Sequence, residues 1–180
     1  LAHNFSYPDF EDYRDAQRVF DGMFAYARQD VAIRGGAGTE VVAAELVSAG
    51  YFDILDVRMR FGRGLDASDD VPGVAPAAVV SESLWREASG GLSSFTSRTI
   101  TLNDHTFTIV GVVAEPFRGM EVGRDVKLWL PVHASPLLDA RRGVAMTERR
   151  MSWLSLIGRL RDGVSREQGA RALPAMEAAL

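Results

Sequence analysis

Gly62, Gly64 and Ala67 in GRGLDA match G-x-G-x-x-A, a spacing whose glycines let a backbone approach a dinucleotide pyrophosphate at a helix N-terminus. The match runs into an acidic, proline-containing loop instead of a helix, so a turn is the expected structure. Just beyond it, Asp66, Ser68, Asp69 and Asp70 gather oxygen ligands of the kind calcium prefers, spaced like the first half of an EF-hand loop. Val71 stands where that loop needs its glycine and no glutamate closes it, so a solvated acidic loop is expected. His3, His105 and His133 lack H-x-x-x-H and H-E-x-x-H spacing. A zinc site would require the fold to join them. No G-x-S-x-G elbow, S-x-x-K pair or P-loop is present, and no pair among the 24 carboxylates is singled out for acid-base work. Two basic pairs, Arg141-Arg142 and Arg149-Arg150, could meet lipid phosphates or a partner's carboxylates, and they are the candidate interaction surface. Trp85, Trp129 and Trp153 each sit within an apolar element, where core packing is expected.

The chain has 180 residues, 47% hydrophobic and 24% charged, which suits one generous domain or two small lobes. Its formal net charge of -4 provides no global attraction to nucleic acid or to an acidic bilayer. Lys127 is its single lysine, and it has no cysteine, which removes thiol catalysis and disulfides together. No apolar run approaches the roughly 20 residues of a membrane helix, and LAHNFSYPDF lacks the form of a signal peptide. A soluble segment is expected, whether free or cut from a larger protein.

Ser6 and Asp9 form a capping box, and Phe10, Tyr13, Phe20 and Phe24 follow at spacings that predict a helix from about Tyr7 to Met23. YARQDVAIR and EVVAAELVS flank the turn GGAGT as a hairpin. A short helix in AGYFDIL, a strand in VRMRFG, an exposed loop over 63–76, a buried strand AAVVS and a helix ESLWREA closed by Gly90 and Gly91 come next. ITLNDHTFTIVGVV reads as a second hairpin turned by Asn103, Asp104 and His105, with Thr101, Thr106 and Thr108 on a wet face. Then come a loop EPFRGMEVGRD, a strand VKLWLP stopped by Pro131, an undecided polar stretch from His133 to Arg150, and a strand WLSLIGRLRDG. Ser165 and Gln168 cap a last helix burying Ala172, Leu173, Met176 and Leu180, with Pro174 expected to kink or interrupt it. The order predicts an α+β fold with a largely antiparallel middle.

The succession AELVSAGYFDILDVRMRFGRGLDASDD, AAVVSESLWREASGG, RTITLNDHTFTIVGVVAEPFRG, LWLP and LIGRLRDGVSREQGARA resembles the MacB-like periplasmic core domain over essentially the whole chain. SYPDFEDYRD and FRGMEVGRDVKLWLP most resemble the permeases named for duplicated, orphan arrangements in Acidobacteria. Ser97 replaces a glycine usual in the family, and ASGGLSS stands where a Phe-Gly-Gly turn is the rule. The resemblance implies an extracytoplasmic module inserted between the first two membrane helices of an ABC-type permease, on the periplasmic side of the bacterial inner membrane. It implies two lobes: a porter-like βα lobe from approximately residues 1–30, 74–92 and 150–180, and a strand-rich lobe inserted from the segments between. It also implies no catalysis and no cofactor in this domain. The implied partners are the protein's own membrane helices, a second permease half or subunit, an ATP-binding subunit on the cytoplasmic side and a periplasmic adaptor. Insertion between membrane helices predicts that Leu1 and Leu180 lie near one another. A peptide- or lipid-binding module is the alternative, marked by an apolar groove. A hydrolase would show two converging carboxylates with displaced pKa values.

Overall fold

In the computed structural model, residues 4–16, 18–35, 38–89 and 98–177 are described. His3, Gly90, Gly91, Ser97, Leu1 and Leu180, on which expectations above rest, lie outside them.

The chain enters through α1 (Tyr7–Ala16). Ser6 Oγ accepts from the Asp9 amide at 3.1 Å and Asp9 Oδ2 accepts from the Ser6 amide at 3.2 Å, the reciprocal cap expected from S-x-x-D. The helix stops at Ala16, short of the predicted Met23, because Phe20 already opens β1 (Phe20–Gly35). Phe20 and Phe24 are four apart, a spacing that suits a helix turn and two strand repeats equally. Pairing with residues 155–160 decides for the strand, and a bulge between Phe20 and Gly22 shifts its register.

β1 is unusually long because it serves three partners. Its first half pairs antiparallel with β8 (Ser155–Leu160), its second half with β2 (Gly38–Val47), and Ile33 meets Leu102 of β5 (Arg98–Leu102). After β2 come α2 (Tyr51–Ile54), β3 (Met59–Gly62), β4 (Ala77–Ser81) and α3 (Glu82–Ser89). β5 and β6 (His105–Val113) form the second hairpin, followed by β7 (Leu128–Pro131). A 3-10 turn (Val132–Ala134), α4 (Ser135–Leu138) and α5 (Arg142–Ala145) fill the stretch that the sequence left undecided. α6 (Arg166–Glu177) starts with the Ser165–Gln168 cap and runs across Pro174, so of the kink or interruption expected there the interruption does not occur.

Among the described residues, eight strands belong to one mixed sheet, in which β2–β7 and β4–β6 are parallel and the other pairs antiparallel. The order β2-β7-β4-β6-β5-β1 closes on itself because β1 also pairs with β2, while β8 extends from β1 and β3 from β6. The first proposed lobe boundary, residue 30, falls inside β1, and β4 is hydrogen-bonded between β6 and β7. β1–β8 pairing and contact between α1 and α6 gather the first and last segments together.

Alternation sorts the core into two clusters on opposite faces. Met23, Ala25, Val80, Phe107, Leu128 and Leu130 join the larger cluster; Phe24, Val79, Val113 and Trp129 join the smaller, with Tyr51 and Phe52 of α2. β4 is buried at every position because both of its faces are covered, which explains its unbroken apolar run.

Candidate functional site

A cleft of about 760 Å³ lies between the first turns of α1, the loop before β4, and the α4–α5 region. Its base is built by three elements. The cap fixes α1, which places Tyr7 and Glu11 along the wall. Asp66 accepts from the Ser68 amide and hydroxyl, while Asp69 accepts from the Asp66 amide and pairs with Arg63, so the acidic loop folds on its own backbone. That turn carries Asp70 inward, where its side chain is 7% exposed. Pro131 ends β7 in an extended conformation and turns the chain, so that His133 faces Asp70. The His133 amide donates to Asp70 Oδ1 at 3.0 Å, and ring Nδ1 lies 3.0 Å from the same oxygen. The Tyr7 ring stands edge-on to the imidazole, centroids 4.9 Å apart. Burial, then the charges of Asp70 and Glu11, push the Tyr7 hydroxyl well above the ordinary phenol range, so it stays protonated. Val71, Val74 and Leu137, all exposed, form an apolar rim.

On the other side of the sheet a buried carboxylate ties four segments together. Glu45 of β2 is fully buried; Oε2 accepts from the Tyr51 hydroxyl at 2.6 Å and from Trp129 Nε1 at 3.1 Å, and Oε1 accepts from the Met120 amide at 2.9 Å. No cation answers it among the described residues, and burial raises its pKa despite the three donors. Through Met120 this network anchors the segment 114–125, which borders a second cavity of about 870 Å³ with Leu55 to Arg58. Arg28–Glu121 and Arg124–Asp30 pairs hold the same segment to β1.

The four arginines singled out by the sequence are dispersed among separate tasks. Arg141 pairs with Asp139, Arg142 lies 4.3 Å over the Trp153 ring, and Arg149 bridges Asp9 and Asp12 of α1. Arg150 is exposed and has no ion pair among the described residues. The glycines of GRGLDA serve packing: a Cβ on Gly62 would lie 2.2 Å from the Val110 carbonyl, at φ +66°. His105 opens β6 beside its turn, as expected, and also borders the cleft. Trp85 and Trp129 are core residues, and Trp153 is half-buried under Arg142.

Sequence reading missed Tyr7, Asp70 and His133 as a group, because their contact spans 63 residues and an undecided segment. It also missed Glu45, although one signal was present. Glu45 shares strand parity with Val47, whose face is buried, so a carboxylate there needed buried donors.

Several solved structures share this architecture. The periplasmic region of MacB from Actinobacillus actinomycetemcomitans superposes with a TM-score of 0.73 at 16% identity, over 98% of this chain and 74% of that one. The extracellular domain of the noncanonic ABC-type transporter YknZ from Gram-positive bacteria gives 0.63 at 14% identity, over 97% and 85%. At such identities the likeness is one of fold. A search of curated proteins returned no match. The family model for the MacB-like periplasmic core domain, by contrast, matches residues 2–176. Spanning nearly every strand and helix described above, that match establishes that the chain belongs to the MacB-like periplasmic core domain family.

Proposed function

We propose that this chain is the extracytoplasmic domain of a MacB-like ABC-type permease, where it couples movement of membrane helices to engagement of substrate or partner without catalysing a reaction. The family match over residues 2–176 carries the reading. The side-by-side placement of α1 with α6, and of β1 with β8, supports it, since a module inserted between two membrane helices needs its entering and leaving segments together. Among the described residues no helix is long and apolar enough to cross a membrane, so the membrane helices would be separate segments of the full protein. Its partners would be those helices, a second permease half or subunit, an ATP-binding subunit across the membrane and a periplasmic adaptor. Of the four arginines, Arg150 is the one we carry forward as a partner contact, being exposed and without an ion pair.

The test uses the absence of cysteine. In the complete gene product, single cysteines at Asn4 and Arg171, both exposed, are treated in intact cells with a membrane-impermeant maleimide. Labelling of both in the membrane fraction is expected. Labelling only after lysis, or recovery of the product free of the membrane, would overturn the proposal.

A second reading, a ligand-binding module, is favoured by one observation: the cleft beside Tyr7 and His133, whose volume lies within the range of small-molecule sites and whose rim is apolar. The two readings are compatible, since one domain can transmit motion and hold a ligand.

A further inference from the structure

We infer that this cleft takes a small amphipathic cation, an apolar body carrying one amine or quaternary ammonium. The inference rests on the ligand-binding reading and is independent of the permease reading.

Three observations converge on that chemistry. The first is size: about 760 Å³ is room for a drug-sized molecule, more than a trapped water or ion needs. The second is the rim, where Val71, Val74 and Leu137 stand exposed around one opening, apolar surface that an apolar body would remove from water. The third is charge. Lysine and arginine make up 20 of 180 residues, yet among the described residues none lines the cleft, while Glu11 and Asp69 do, and Asp70 lies behind His133. Asp69 is already answered by Arg63 from outside the cleft, whereas Glu11 has no ion pair among the described residues. Tyr7, uncharged and almost wholly buried, lines the cleft without adding a charge that would oppose a cation. Among the described residues, an anion would meet no lysine or arginine on these walls. A neutral body would gain the apolar contact alone.

The experiment is isothermal titration of the chain with three decyl probes below their micelle concentrations: decyltrimethylammonium, decyl maltoside and decyl sulfonate. The cation is expected to bind about tenfold more tightly than the neutral probe, with the anion weakest. Glu11→Gln should narrow the gap between cation and neutral probe and leave the neutral affinity unchanged. Val74→Arg, at an exposed loop position, should abolish cation binding while the far-ultraviolet spectrum and melting temperature stay as in the parent. Equal binding of all three probes, still lost in Val74→Arg, would leave the cleft as a site and overturn its preference for a cation. No binding by any probe, or binding insensitive to Val74→Arg, would overturn the cleft reading itself together with the inference.

Discussion

At the scale of single residues, Glu45 is held by burial and by three hydrogen bonds at once. Its carboxylate is buried without a cation, and three donors converge on it from α2, β7 and the segment after β6. Glu45→Ala would leave the Met120 amide and the Tyr51–Trp129 pair without their acceptor, at a cost of about 3 kcal/mol in denaturant unfolding. Glu45→Gln keeps the shape and one acceptor, so it should cost far less. Titration supplies a sharper test. Burial raises the folded-state pKa above the ordinary 4.5, so the folded protein holds this proton more tightly than the unfolded chain does. Glu45's contribution is therefore complete below pH 4.5 and declines as pH rises through the raised value. The stability of the parent minus that of Glu45→Gln should fall as pH increases from 4.5, a trend read from paired urea titrations. A flat difference would show that burial does not outweigh the three donors.

Among the elements, the β5–β6 hairpin has a task that its sequence only half discloses. Alternation and the Asn-Asp-His turn identified it, and the structure bears this out, with Asn103 and Asp104 at φ +46° and +70°. What could not be read was where its tip lands. The Asn103 amide donates to the Ala32 carbonyl at 3.0 Å, its Oδ1 accepts from the Ala32 amide at 2.9 Å, and its Nδ2 donates to the Leu138 carbonyl at 3.1 Å. One turn residue thus pins the hairpin to β1 and to α4, at the place where β1 and β5 share a single residue pair. Asn103→Gly, which tolerates positive φ but loses both side-chain hydrogen bonds, should cost about 2 kcal/mol. Asn103→Ala should cost roughly 1 kcal/mol more because it adds backbone strain. Equal stability of the two variants would show that the turn geometry contributes nothing. Local periodicity made such elements legible because it records which face is buried. It failed at Phe20, where the aromatic spacing fits both repeats, and at the cleft, whose residues meet only through the tertiary fold.

The whole molecule is organised around one sheet with a core on each face, Trp85 in the larger cluster and Trp129 in the smaller. Strands supply both clusters from alternate residues, so neither can dissolve while the other persists. Thermal unfolding followed at 222 nm and by the fluorescence of Trp85-only and Trp129-only variants should give coincident midpoints. Separated midpoints would instead favour two lobes that melt independently. The family blocks were legible because they span elements in order, but the closure of six strands was not, since it depends on which edges of β1 remain open after β2 and β8 have paired. That long strand has one more consequence. On the proposed function, a pull from whatever is fastened beside α1 and β8 would reach β1 at one end, while β2 holds its far half from Tyr26 to Gly35. Its inter-strand hydrogen bonds run perpendicular to such a pull. Tension along β1 would therefore load them together in shear instead of peeling them one at a time, and under that load β1 would act as a tie-rod through the sheet.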